Sequence, residues 1–216
     1  MYLIFYSFHI IKKVNIMKKS IFFLFLVIFL PLKVNAISAA SFIVTDLDSG
    51  RIIAGQNYDE IKLIASTTKI MTSIIALEYA DVNQKVIVDK DVLKAYGSAI
   101  YIEIGEEISL KDLLYGLLLR SGNDAAIEIA NTVAGSMTNF VTLMNNKAQD
   151  LGMTKTHFVN DNGLEEDNDA NESTASDMAI LMRYAMQNKA FQEIVNTKRY
   201  IAKSSYKTYD WYNKNK

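Results

Sequence analysis

The chain has 216 residues, half of them apolar, with a formal net charge of −1, two histidines and no cysteine. No thiol nucleophile, thiolate metal site or disulfide is available, and the length sets one domain as the default. The near-neutral charge leaves no electrostatic footprint for nucleic acid.

The N-terminus reads as a separate object. Met17-Lys18-Lys19-Ser20 precedes an unbroken apolar run over residues 21–30, followed by Pro31-Leu32-Lys33-Val34-Asn35-Ala36. A basic start, a short apolar core and a small-residue end predict a signal peptide over residues 1–36, cleaved after Ala36, with Met17 as an alternative start. The run is short for a membrane-spanning helix, so an uncleaved anchor is the lesser reading. Removing residues 1–36 takes five lysines and no acid from 23 basic and 24 acidic residues, which leaves 18 against 24 and a charge of −6. His157 is then the only histidine, which excludes a histidine-rich metal cluster. The expected location is the periplasm or the outer face of the cytoplasmic membrane.

Along the remaining chain, residues 40–47 and 51–55, joined by Asp48-Ser49-Gly50, predict a strand, a tight turn and a return strand. A linker then delivers the chain to an apolar helix that begins at Ser66 and runs through Leu77 and Tyr79. Residues 85–88 and the alternating residues 100–104 read as short strands. Ser109 and Asp112 form a shortened capping box for a helix over 110–119. The next helix spans residues 125–134 with Gly135 as its cap, so Ser121 and Asn123 fall between two apolar helices. Further helices are predicted over residues 137–151 and 174–189, with a short one around Ile194 and a strand starting at Arg199.

One pair stands out for its chemistry. Ser66 and Lys69 lie three residues apart, so on a helix they share a face and the amine reaches the hydroxyl. A serine hydroxyl needs a neighbouring base, and lysine serves when an apolar setting such as Ile70, Met71, Ile74 and Ile75 lowers its pKa. A first-turn backbone N–H is also at hand for an oxyanion. Ser-x-x-Lys is a weak signal, expected about once by chance in a chain of this composition; Ser204 to Lys207 is a second match.

Taken together, Ser66-Thr67-Thr68-Lys69 and, 55 residues later, Ser121-Gly122-Asn123 make two of the three elements of the serine penicillin-recognising enzymes. Their contexts, Ala-Ser-Thr-Thr-Lys-Ile-Met-Thr and Leu-Leu-Leu-Arg-Ser-Gly-Asn-Asp-Ala-Ala, resemble the D-alanyl-D-alanine carboxypeptidases over most of residues 38–216. The resemblance implies an α+β fold of the β-lactamase and DD-peptidase kind, an antiparallel sheet with a mostly helical subdomain. It implies Ser66 as acylated nucleophile, Lys69 as base, Ser121 as proton relay, and Asn123 as holder of Lys69 and of a substrate amide. The implied substrate is a peptidoglycan stem peptide ending in D-Ala-D-Ala, with β-lactams as inhibitors and no cofactor or metal.

The sequence departs from that pattern in one element. No Lys-Thr-Gly or Lys-Ser-Gly occurs; Lys207-Thr208-Tyr209 and Lys155-Thr156-His157 are the nearest, and Tyr or His would crowd the substrate where glycine leaves room. The expectation is therefore a catalytic domain over 37–216 that is truncated before that strand, its sheet incomplete, its C-terminal anchor missing and its activity weak or lost. Asn171 stands where a histidine is often found. A class A-like β-lactamase would need a water-activating glutamate, for which Glu165-Glu166 lacks the context, and a non-catalytic periplasmic remnant is the other alternative.

Overall fold

The computed structural model describes residues 39–165 and 169–215. The signal-peptide expectation and Glu166 lie outside these residues. Local signals set most of the elements. β1 (Phe42–Thr45) and β2 (Ile52–Gln56) pair antiparallel. In their turn Asp46 Oδ1 accepts from both the N–H and the hydroxyl of Ser49, and Gly50 adopts φ +73, a conformation that costs glycine nothing.

β3 (Lys62–Leu63) pairs with β6 (Glu172–Ser173), which ties the approach to Ser66 to the distant 171–174 segment. Residues Ala65–Thr68 form a 3₁₀ turn that continues into α1 (Lys69–Tyr79). While Ile74 packs in a second cluster with Ala185 and Phe191, α1 is buried through Met71, Ile75 and Ala76 against α2 (Leu110–Arg120), α3 (Asn123–Ala134) and α4 (Met137–Asp150). Leu113, Leu114 and Leu117 of α2 are fully buried in the same core, each worth about 1.5–3 kcal/mol relative to exposure. The Ser109 hydroxyl caps α2 by accepting from Asp112 N–H. Gly135, at φ +72, closes α3.

α5 (Ala175–Ala185) starts at Thr174, whose hydroxyl accepts from Asp177 N–H. The helix expected over 174–189 ends at Ala185, and the short helix expected around Ile194 is the element that follows. Asn188 caps a separate α6 (Lys189–Asn196), its carboxamide oxygen accepting from Ala190 and Phe191 N–H. β7 (Arg199–Lys203) and β8 (Thr208–Tyr212) form a hairpin laid on α2. There Tyr200 stacks on Tyr115 at 3.5 Å, Tyr200 donates to Asp112, and Tyr209 and Trp211 are buried.

Helices and antiparallel pairs in one fold confirm the α+β class; the strands described form four two-stranded ribbons. The strand expected over 100–104 is absent. The Asp124 carboxylate instead accepts from the N–H groups of Ile100, Tyr101 and Ile102, turning that run into a loop with Tyr101 at φ +62. β4 (Lys85–Ile87) pairs antiparallel with β5 (Glu107–Ser109).

Candidate active site

Ser66 sits in the 3₁₀ turn, where side chains three residues apart eclipse one another more closely than on an α-helix. The Lys69 amine accordingly donates to Ser66 Oγ at 3.3 Å. Ser66 is exposed while Lys69 is only 2% exposed. Burial pushes the Lys69 amine down from its usual value near 10.5 to about 8, against an opposing pull from the Asp161 carboxylate. The Ser66 backbone N–H donates to no group among the described residues, so it is available to an oxyanion.

The second strong partner of Lys69 comes from the 157–164 loop. Its amine donates to the Asn162 carbonyl at 2.8 Å, and Thr72, one turn further along α1, donates to the Asp161 carbonyl at 2.6 Å. The loop lies directly on the Ser66 turn. A Cβ on Gly163, which has φ +85, would stand 1.9 Å from Ala65 O. Asn160 shapes it from inside, accepting from Gly163 N–H and donating to Leu164 O.

Ser121 and Asn123 occupy the turn between α2 and α3. Ser121 closes α2 in the left-handed conformation, φ +61, and is half-buried. Asn123 is buried, its Nδ2 donating to Tyr96 O at 2.6 Å while its Oδ1 has no hydrogen-bond partner among the described residues. Among the described residues no hydrogen bond joins Ser121 or Asn123 to Ser66 or Lys69. The Lys69 amine is held by the Asn162 carbonyl.

The remaining candidates lie elsewhere. Lys207 donates to Tyr101 O and pairs with Glu103, and Lys155 donates to Asp59 O. The second Ser-x-x-Lys is a hairpin turn, with Ser204 Oγ accepting from Tyr206 and Lys207 N–H. His157 is exposed and bridges to Glu172 through its backbone. Glu165 accepts from the Tyr96 hydroxyl through its carbonyl. Among the described residues no group of three or more His, Cys, Asp or Glu side chains is placed to hold a metal ion.

Comparison with known proteins fits this geometry. The family model described as D-alanyl-D-alanine carboxypeptidase matches residues 31–216. The chain belongs to that family. It is 37% identical over 156 residues to DacB2 of Mycobacterium tuberculosis, covering 72% of this chain and 53% of that protein. It is 34% identical over 164 residues to DacF of Bacillus subtilis, covering 74% and 42%. Both carry the name D-alanyl-D-alanine carboxypeptidase, and this chain spans about half the length of the curated relatives it matches. A crystal structure of the Mycobacterium tuberculosis carboxypeptidase superposes with a TM-score of 0.78 at 34% identity, over 82% of this chain and 67% of that one. A Streptomyces DD-transpeptidase variant gives 0.78 at 30%, over 83% and 75%.

What sequence reasoning missed is that the 157–164 loop reaches Lys69. Asn162 and Asn171 are neutral amides 93 and 102 residues beyond Lys69, and no spacing rule links them to it.

Proposed function

We propose that this chain is a serine-type D-Ala-D-Ala carboxypeptidase that removes the terminal D-alanine of exported peptidoglycan stem peptides. Neutral Lys69 takes the Ser66 proton as Oγ bonds to the carbonyl carbon of the penultimate D-alanine. The Ser66 N–H stabilises the oxyanion formed. The Ser121 hydroxyl relays the proton to the departing amine, the C–N bond breaks, and D-alanine leaves. Water then hydrolyses the Ser66 ester. Asn123 Oδ1, without a partner among the described residues, accepts from a substrate amide N–H. β-Lactams acylate the same serine. The family's location implies an exported chain, and no helix among the described residues is long and apolar enough to cross a membrane.

One observation carries the reading: an exposed serine 3.3 Å from a lysine amine whose pKa burial lowers to about 8. The test is D-alanine release from a synthetic peptide ending in D-Ala-D-Ala, with intact mass after benzylpenicillin. Release and an adduct, both lost in Ser66→Ala, are the expected result. Neither, on a protein folded by circular dichroism, would replace the enzyme with a non-catalytic relative.

A further inference from the structure

The Lys69 amine is fixed by a backbone carbonyl, Asn162 O, that belongs to a loop and not to a regular element. Such a carbonyl is only as well placed as the contacts holding its loop. Gly163 rests on the Ser66 turn, whereas residues 159–162 also line an open cleft of about 840 Å³ shared with Asp89, Glu128 and Asn131. Asn160, Asp161 and Asn162 are nonetheless buried at this edge, and hydrogen bonds from polar groups inside the fold hold the loop in place.

They converge on Asn171, which is 1% exposed. Its Oδ1 accepts from Val159 N–H at 2.7 Å and Asn160 N–H at 3.1 Å. Its Nδ2 donates to Asn160 O at 3.0 Å and to Thr68 Oγ1 at 2.8 Å. Its own carbonyl accepts from Ile64 N–H at 3.1 Å. One residue thus grips the chain before Ser66, the chain after Ser66 and the loop that holds Lys69.

We propose that Asn171 is a positioning residue: it ties the 159–163 loop to the turn carrying Ser66 and so fixes where the Asn162 carbonyl holds the Lys69 amine. The kinetic consequence rests on the acylation reading above; the geometric one does not. The amide is neutral, so it places the loop without adding charge. The charge that acts on Lys69 among the described residues is Asp161, carried by the same loop. Loosening the loop admits water to the amine, relieves its desolvation and returns its pKa towards 10.5.

The experiment titrates protein isotope-labelled at lysine Cε by NMR, with the Lys69 resonance assigned by its loss in Lys69→Met, and follows benzylpenicillin acylation by intact mass. In Asn171→Ala the Lys69 midpoint is expected to rise by about one pH unit or more, and acylation at neutral pH to slow about ten- to a hundredfold. Thr68→Val removes only one of the acceptors of Asn171 Nδ2, Thr68 Oγ1. It is expected to move both readouts the same way by less, and it stands in if Asn171→Ala does not fold. A folded variant with the Lys69 midpoint at its wild-type value overturns the proposal and leaves Asn171 a purely structural residue. If the wild-type protein forms no adduct, the acylation reading falls while the titration still decides the role of Asn171.

Discussion

The two turns that carry the candidate residues are built in opposite ways. The Ser66–Lys69 turn is clamped: Lys69, Thr68 and Thr72 all have hydrogen-bond partners in the 157–171 segment, and Gly163 lies against Ala65. The Ser121–Asn123 turn is open at its chemical end. The Ser121 hydroxyl makes no hydrogen bond among the described residues, and Asn123 Oδ1 is buried without a partner. A buried carbonyl oxygen left unpaired costs about 1–3 kcal/mol, which a donor from a bound substrate would offset. The difference separates the roles: one turn is preorganised for proton transfer, the other is completed by what binds to it.

The sharpest way to break this contrast is to empty the clamped side. Lys69→Met is expected to slow acylation about 10²–10⁴-fold while leaving the protein at least as stable at neutral pH. The sign follows from linkage. The folded pKa, about 8, lies below the unfolded 10.5, so the unfolded chain binds the extra proton between those values. Wild-type stability therefore rises as pH climbs from about 8 towards 10.5, and the melting advantage of Lys69→Met should shrink over that interval.

Gly163→Ala comes next. Its Cβ would overlap Ala65 O and φ +85 is strained for alanine, so a loss of about 1–3 kcal/mol in denaturant unfolding is expected, with slower acylation. On the open side, Ser121→Ala should slow D-alanine release about ten- to a hundredfold with an unchanged melting temperature, because no hydrogen bond is lost. The smallest effect is Thr72→Val, which removes the bond to Asp161 O and should cost about 1 kcal/mol of stability.

Much of the architecture was legible because its signals are local. The Asp48-Ser49-Gly50 turn, the Ser109 and Thr174 caps and the Gly135 terminator each act within a few residues. The run 100–104 was misread because the group that bends it, Asp124, lies 22–24 residues away and outcompetes a strand partner. β8 went unread although Tyr209 and Trp211 alternate with polar neighbours; their burial depends on α2, which sequence does not place beside them. The Ser66–Lys69 pair was visible because three residues fix its geometry in any helical turn. Asn171 showed only as a departure from a family pattern, since what a neutral amide does depends wholly on the backbone folded around it.

The most direct test of the central claim is the pH dependence of Ser66 acylation by benzylpenicillin. A rate that climbs through a midpoint near pH 8, vanishes in Ser66→Ala and loses its pH dependence in Lys69→Met is expected from a buried lysine acting as base. An adduct that forms at a rate indifferent to pH and to Lys69, or no adduct at all, would contradict it.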